Sequence, residues 1–464
     1  MKKIFLFLAI LNSLSFADGF DRLVSDFEKQ GLSDSSWGIA VYYVSGKKIY
    51  SRNEDKKLVP ASSVKLFPTA FAFECLGPEY RIKTELYTVG EIVSGELIGD
   101  VVLKGYGDIS FGALNFDDSY LKKAQEIYSA LKEKGIDRIN GSVFVDSSFY
   151  SFPAPGSWAW EDIGNYYAAF PWAFSINDNL YRICFESGTQ PGTALKVASV
   201  EPDMGLEIDN QAITGSQGSG DNSYIYSVPW EKKIKLTGSA PAGYCIKGAI
   251  GNPPLFFASY LKEYFKSKGM SVNGKAGYGA YTNPLSEKYL LKTFLSPTLK
   301  EIVSVTNKKS FNLYAEGLYR LASIKCGKGE NPLESFAASF GARIRSADAC
   351  GLSRLNLFSA SDFIKLLNFI ASKPYFAQYR DTLYYPGDTA GRGHVRNLDR
   401  DEKLGRNLAV KSGSLKYVRS YAGYLRTRKG KEISFAFIIN NYETEPAFLD
   451  KVHGSLLQWL YENY

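Results

Sequence analysis

The 464-residue chain is expected to fold as an α+β protein, an antiparallel sheet flanked by helices with a mostly β region inserted into it. Three observations predict this class: a hairpin pattern near the amino terminus, adjacent strands near the carboxyl terminus followed by an amphipathic helix, and a long strand-rich stretch between them. Because the length exceeds one typical core, the inserted region is predicted to form one or two further domains.

The first element is a β-hairpin over residues 37–51, where apolar and polar residues alternate around a Ser45-Gly46 turn. After Pro60-Ala61 the apolar spacing becomes helical, and Gly77-Pro78 ends it. Ser62 is therefore expected at a helix start, with Lys65 one turn further on the same face. Pro68 predicts a kink or a lost hydrogen bond just beyond that turn.

The middle of the chain is rich in strands. The predicted strands cover residues 86–90, 95–97, 100–103 and 141–146, the predicted helices cover 118–134, 254–269 and 298–325, and 215–222 is expected to be an exposed loop. The carboxyl-terminal part predicts antiparallel strands over 407–411, 420–425 and 433–439, covered by a helix over 447–462. No solenoid repeat is visible.

The first 17 residues are typical of a secretory signal peptide: a basic start, a short apolar run, and small residues ending at Ala17. The run is too short for a transmembrane anchor, and no later stretch is long and apolar enough for one. Net charge is +7 without a dense basic run, which argues against nucleic-acid binding.

The five cysteines show no metal-ligand spacing, and with only two histidines a zinc site or other cofactor is not expected. Export permits disulfides, and five cysteines would leave one unpaired. Cys184 and Cys245 lie in the same middle region and are the first pair to test.

Three short motifs carry the chemistry. In chain order they are Ser62-x-x-Lys65, Ser310-Phe311-Asn312 and Lys411-Ser412-Gly413. The first is unspecific alone, because Ser45, Ser119, Ser129 and Ser259 are also followed three residues later by lysine. A serine needs a base to become a nucleophile, and a neutral Lys65 could serve if its surroundings disfavour charge. The structural alternative is a helix cap beside a solvated lysine.

The other two motifs complete a serine-enzyme pattern without histidine. Ser310 and Asn312 precede a helical pattern, which suits a hydroxyl relay and an amide that orients a carbonyl; a helix cap is the alternative. Lys411 and Ser412 would bind a carboxylate, and Gly413 allows close backbone approach. An extended peptide could add along this strand, although an ordinary strand end would also explain the motif.

Together these residues resemble the penicillin-recognising serine enzymes, and most closely the D-alanyl-D-alanine carboxypeptidase/endopeptidase family typified by penicillin-binding protein 4. Four stretches carry the resemblance across nearly the whole mature chain. They are Leu58 to Ser62 with Leu76-Gly77-Pro78, Trp158 to Asp162, Asp348 to Arg354, and Lys411 to Gly423. The resemblance implies a transpeptidase-like (β-lactamase-like) domain over 18–84 and 286–464, with inserted domains over 85–160 plus 271–285 and over 161–270.

The resemblance also implies a role for each residue. Ser62 would be acylated, with Lys65 as its base, Ser310 as proton relay and Asn312 as carbonyl ligand. Lys411 and Ser412 would bind the terminal carboxylate beside Gly413, and the backbone N–H groups of Ser62 and Ser414 would form the oxyanion hole. Asp146 and Arg354 would read the diaminopimelate side chain of the stem peptide. Cys350 and Ser412 depart from the family's usual serine and threonine.

The implied activity is a serine-type D-alanyl-D-alanine carboxypeptidase, possibly also an endopeptidase, that acts on peptidoglycan stem peptides and is acylated by β-lactams. The alternatives are a β-lactamase or esterase with the same motifs, and a catalytically silent peptidoglycan-binding protein. The aromatic run over 158–172 supports the last class, although core packing is the simpler explanation for it. Periplasmic location is expected if the cell is Gram-negative; the oligomeric state is not predicted.

Overall fold

A five-stranded antiparallel sheet forms the centre of the first unit of the chain in the computed structural model, which describes residues 19–151, 155–229, 231–388 and 393–464. This unit comprises the chain up to Glu79, Leu299–Phe311 and Leu321–Tyr464. Its strands, numbered along the whole chain, are β1 (Ser36–Tyr43), β2 (Lys48–Arg52), β17 (Leu408–Leu415), β18 (Val418–Arg426) and β19 (Glu432–Asn440). Their order is β17-β18-β19-β1-β2, so β17 and β2 are the edges.

Helices cover both faces of this sheet. They are α1 (residues 19–29), α2 (Leu66–Leu76), α5 (Leu299–Lys308), α6 (Asn312–Cys326, of which 321–326 belong here), α7 (Pro332–Ala338), α8 (Ala360–Ala371), α9 (Phe376–Asp381) and α10 (Pro446–Asn463). Alternation along β19 sends Phe435 and Phe437 into a core with Leu449 and Leu456 of α10. Ser434 points the other way and bonds Asn368 of α8. The predicted α+β class is confirmed.

The second unit, Tyr80–Thr298 with Asn312–Arg320, is mostly β. Its largest sheet contains β3 (Lys83–Val93), β4 (Glu96–Gly105), β5 (Arg138–Ile139), β6 (Val143–Asp146), β14 (Ser271–Val272), β15 (Ala276–Gly279) and β16 (Leu290–Leu295), packed on α3 (Tyr120–Glu133) and α4 (Pro253–Ser267). Two smaller sheets hold β7 (Leu180–Phe185), β8 (Val197–Glu201) and β13 (Cys245–Ala249), and β9 (Glu207–Asn210), β10 (Ile213–Gly215), β11 (Asn222–Ser227) and β12 (Lys233–Pro241).

Those smaller sheets share a separate hydrophobic core around Ile183, Ile225 and Leu236. The observed units divide the chain near residues 80 and 298, whereas the sequence boundaries of the inserted domains stay a prediction. The predicted signal peptide, residues 1–17, lies outside the described residues. Within the described ranges, no helix combines the length and the apolar character needed to span a bilayer.

Two disulfides are present among the described residues, one within each unit. Cys184 and Cys245 face each other on β7 and β13, as predicted. Cys75 at the end of α2 bonds Cys326 at the end of α6, a pairing the sequence did not indicate. Cys350 is buried, takes part in neither disulfide, and directs its Sγ to the Asp348 carboxylate at 3.7 Å.

Candidate active site

Ser62 lies in a tight 3₁₀ turn, Ala61–Lys65, that leads directly into α2. Lys65 Nζ donates a hydrogen bond to Ser62 Oγ at 2.9 Å, and the lysine is completely buried whereas the serine is half-buried. The predicted helix start at Ser62 is thus a 3₁₀ turn, with α2 beginning only at Leu66. Pro68 lies in the first turn of α2, directly after the 3₁₀ turn, and the kink or lost hydrogen bond expected there stays a prediction.

Three side-chain and backbone contacts hold this turn against the sheet. The Asn440 side chain on β19 accepts from the Val59 N–H (2.8 Å) and donates to the Val59 carbonyl (2.9 Å). Ser420 on β18 donates to the Pro60 carbonyl at 2.5 Å. Ala61, just before the nucleophile candidate, has a left-handed φ of 49°. The turn is therefore fixed by tertiary contacts that outweigh its local backbone strain.

Gly413 allows β17 to lie directly against this turn. A Cβ at position 413 would come 2.4 Å from the Pro60 carbonyl oxygen and 2.8 Å from the Ser63 nitrogen. The close approach predicted for this glycine thus occurs with the chain's own backbone; its part in substrate binding stays a prediction.

A second loop supplies a backbone acceptor to Lys65. The Cys350 carbonyl accepts from Lys65 Nζ at 2.5 Å. Asp348 shapes this loop because its carboxylate accepts from the N–H groups of Gly351 (2.7 Å) and Ser353 (2.6 Å). Since position 350 contacts Lys65 through its backbone carbonyl, the cysteine side chain there leaves that contact intact.

Ser310 and Lys411 form a second serine–lysine pair. Lys411 Nζ donates to Ser310 Oγ at 3.0 Å and to the Ser412 carbonyl at 2.6 Å. Ser310 occupies the break between α5 and α6 with a left-handed φ of 56°. Lys411 is 1% exposed, and its burial, reinforced by the positive charge of Lys65, holds its pKa well below the usual lysine value.

Among the described residues, no strand pairs with the outer edge of β17 beyond Val410. Val410 exchanges both backbone hydrogen bonds with Tyr384 on the side away from β18. Because backbone groups alternate along a strand, the N–H and C=O groups of Ser412 and Ser414 point to the same outer side. An extended peptide could pair there as a further strand.

The remaining predicted residues occupy other settings. Asn312 begins α6 in the second unit and donates to the Tyr167 carbonyl at 2.7 Å. Asp146, also in the second unit, is buried, lies 3.4 Å from Lys104 Nζ, and accepts from the Ser148 N–H. Arg354 is exposed in the first unit and donates to the Lys416 carbonyl. The first unit therefore brings together Ser62, Lys65, Ser310, Lys411, Ser412 and Gly413.

The sequence did not predict a role for three residues that position the site. They are Asn440, Ser420 and Asp348. Their partners are backbone groups, which carry no residue-specific signal. A polar residue within an otherwise apolar strand, such as Asn440 after Phe435 to Ile439, is the one pattern that could have indicated such a contact.

The chain matches the D-Ala-D-Ala carboxypeptidase 3 (S13) family over residues 21–461. It belongs to this family. The predicted resemblance and the predicted carboxypeptidase activity are therefore confirmed: the chain is a serine-type D-Ala-D-Ala carboxypeptidase.

Known D-alanyl-D-alanine carboxypeptidases align with this chain over most of their length. The D-alanyl-D-alanine carboxypeptidase of an Actinomadura species is 27% identical over 437 residues, covering 88% of this chain and 78% of that protein. The D-alanyl-D-alanine carboxypeptidase DacB of Haemophilus influenzae is 24% identical over 440 residues, covering 91% and 88%. The crystal structure of penicillin-binding protein 4 from Haemophilus influenzae superposes with a TM-score of 0.79 at 23% identity, covering 95% of this chain and 99% of that one, and thus shares the fold.

Proposed function

We propose that this carboxypeptidase releases the terminal D-alanine of peptidoglycan stem peptides through an acyl-enzyme on Ser62. The observation that carries the proposal is the contact between Ser62 Oγ and the buried Lys65 Nζ, 2.9 Å apart. A serine needs a base within hydrogen-bond reach, and a desolvated lysine can serve as one.

In the acylation step, neutral Lys65 takes the Ser62 proton as Oγ bonds to the carbonyl carbon of the penultimate D-alanine. The negative charge that develops on the carbonyl oxygen would be stabilised by the N–H groups of Ser62 and Ser414. The outward direction of the Ser414 N–H on β17 supports this assignment, because the peptide must approach that edge.

Collapse of the tetrahedral intermediate breaks the peptide bond, and the leaving amine takes a proton through Ser310. Lys411 supports this relay because it already bonds Ser310 Oγ. Lys411 and Ser412 would hold the terminal carboxylate, and Asn312 the peptide carbonyl. Water then hydrolyses the ester, which returns Ser62 to its starting state.

This division of labour requires the substrate to redistribute the charge between the two lysines. Two buried amines cannot both be charged cheaply, and the pKa of Lys411 is already lowered by burial and by the Lys65 charge. A substrate carboxylate beside Lys411 would favour its charged form. The pair could then hold its charge on Lys411 while Lys65 acts as the base.

We infer three further properties. The Haemophilus influenzae protein has been solved in complex with a β-lactam, and the same acylation is expected here. Arg354 is exposed and could bind a substrate carboxylate. Asp146 is buried against Lys104. The binding of the diaminopimelate side chain by these two residues stays a prediction. The predicted signal peptide would place the enzyme in the periplasm of a Gram-negative cell.

Labelled penicillin tests the proposal. The mature protein is incubated with it, and the adduct is located by mass spectrometry beside a Ser62→Ala variant. A stable adduct on Ser62 is expected. Rapid turnover would indicate a β-lactamase, and no adduct would indicate a silent binding protein. Release of D-alanine from stem peptides and cleavage of cross-linked muropeptides then separate the carboxypeptidase from the endopeptidase activity.

A further inference from the structure

An exposed aromatic groove lies on the smaller sheet of the second unit. It encloses about 490 Å³ and is lined by Trp160, Tyr226, Lys233, Lys235 and Asp209. Trp160 is 67% exposed, which is unusual for the residue type that buries the most surface. The aromatic run that contains Trp160 therefore has two parts: Trp158 stacks in the interior on Phe170, and Trp160 faces outward.

The sheet register builds one polar and aromatic face. Tyr226 on β11 lies opposite Lys235 on β12, and Lys235 lies opposite Asp209 on β9. Alternation sends the intervening Ile225 and Leu236 into the core behind them. Three strands thus place a ring, an ammonium and a carboxylate in one row on the outer face.

The Trp160 ring is held over this face by its own loop. The centroids of Trp160 and Tyr226 are 5.3 Å apart at 57°. Asn165 accepts from the Ile225 N–H at 3.1 Å, and Gly164 lies so close to β11 that a Cβ there would be 2.4 Å from the Ile225 carbonyl. The loop is therefore docked on the strand, and the groove exists before any ligand binds.

The same loop continues to a predicted active-site residue. Tyr167, at its far end, accepts through its carbonyl from Asn312 Nδ2 at 2.7 Å. Tyr224 lies beside Tyr226 on β11, at 6.5 Å between ring centroids, and Tyr166 and Tyr167 form a further ring pair at 5.3 Å. Together with Trp160 these rings form an aromatic strip along the loop and β11, and the loop ends at the Tyr167 carbonyl that Asn312 contacts.

We propose that this groove binds the glycan strand of peptidoglycan, a chain of β-linked N-acetylated amino sugars. A sugar ring has an apolar C–H face, which suits an exposed indole or phenol ring, and a rim of hydroxyl and amide groups. Lys233, Lys235 and Asp209 supply donors and acceptors for that rim. The inference rests on the proposed function, because stem peptides are attached to such strands and the strip leads towards Asn312.

A binding measurement tests the proposed glycan site independently of catalysis. Mature protein is titrated with a tetramer of β-1,4-linked N-acetylglucosamine and with glycan strands from which an amidase has removed the peptides. We expect Trp160→Ala and Tyr226→Ala to weaken binding at least about fivefold. Trp160→Phe should retain most of the affinity, and Tyr244→Ala, which removes a ring that is 41% exposed elsewhere in the unit, should match the wild type. Thermal melting confirms that each variant is folded.

No binding by the wild type overturns the inference, and so does unchanged binding by both alanine variants. A second readout is the rate of D-alanine release from intact sacculi divided by the rate from a sugar-free peptide. This ratio should fall in Trp160→Ala and stay constant in Tyr244→Ala. The two proposals fail separately, because a missing penicillin adduct at Ser62 leaves glycan binding as it is, and lost glycan binding leaves the adduct.

Discussion

Both faces of the five-stranded sheet bury cationic side chains, but the partners of those side chains differ between the faces. On the face towards α2, Lys65 and Lys411 contact serine hydroxyls and backbone carbonyls. On the face towards α10, buried Arg419 lies 3.6 Å from the carboxylate of Asp450. The Asp450 carboxylate also accepts from Asn397 Nδ2 and the Tyr421 hydroxyl.

The difference separates a reactive site from a structural one. A carboxylate beside a buried cation stabilises its charge and keeps it protonated. Hydroxyl and carbonyl partners accept hydrogen bonds but bring no compensating charge, so a buried amine there gives up its proton more easily. The α2 face is thus suited to proton transfer, and the α10 face to holding the terminal helix on the sheet.

Removing Lys65 should have the largest effect on the α2 face. In Lys65→Ala the Ser62 hydroxyl loses the base that lies 2.9 Å from it, and we expect the rate of acylation by penicillin to fall about 10³-fold or more. Stopped-flow or quenched-flow measurement of the Ser62 adduct checks this. Lys122→Ala is the matched control, because Lys122 follows Ser119 at the same spacing but lies exposed on α3. Comparable losses in both variants would contradict the assignment.

On the α10 face, breaking the ion pair should affect stability instead. Asp450→Asn leaves the Arg419 guanidinium buried without its counter-charge, and we expect the free energy of unfolding to fall by about 3 kcal/mol. Asp401→Asn, which weakens an exposed contact with Lys403, should cost less than about 0.5 kcal/mol. Urea titrations measure both. If the variants are equally stable, Asp450 does not compensate Arg419.

The α2 face also shows what the sequence can and cannot predict. Helical spacing alone predicts that Ser62 and Lys65 are neighbours, yet the same spacing at Ser119 produces a helix cap, with Ser119 Oγ accepting from the Lys122 N–H. The pairing of Ser310 with Lys411 joins residues 101 positions apart. It could be expected only from the family resemblance, since no local period encodes a contact of that range.

Side-chain contacts with backbone groups could not be predicted from the sequence, for a further reason. The Cys350 carbonyl that receives Lys65, and the Val59 peptide that Asn440 clasps, can belong to any residue type. Long elements with clear periods, such as the β1–β2 hairpin and α10, were predicted within a few residues. Two-residue strands such as β5 and β14 were missed, because two residues cannot display an alternation.

Disrupting the long-range pair Ser310–Lys411 should lower the activity less than disrupting the local pair Ser62–Lys65. Ser310→Ala removes the hydroxyl through which the leaving amine is expected to be protonated, but it leaves Ser62 and Lys65 in contact. We expect kcat for D-alanine release to fall about 10²-fold. Ser304→Ala, on the preceding helix α5, is the control and should retain normal turnover. A loss as large as that of Lys65→Ala would mean that Ser310 acts on Ser62 itself.

The smallest expected effect comes from His453 on the α10 face, which packs against Tyr421 with ring centroids 4.8 Å apart. Burial, aided by the Arg419 charge, lowers the pKa of His453 from 6.5 to about 3. Below pH 6.5 the unfolded chain therefore binds a proton that the folded chain does not. The free energy of unfolding should fall by about 1.4 kcal/mol per pH unit until pH approaches 3, or about 2 kcal/mol between pH 6.5 and 5.

His453→Gln tests this without opening a large cavity. Glutamine can still donate to the Leu449 carbonyl, which the imidazole Nδ1 contacts at 2.7 Å, but it cannot titrate. Urea unfolding at pH 7.5 and pH 5.0 should show a smaller loss of stability on acidification in the variant than in the wild type. Carboxylates contribute equally to both proteins, so the difference reports the histidine. Equal losses would show that the α10 face holds no buried neutral base, and that the contrast between the two faces lies in the Arg419–Asp450 pair alone.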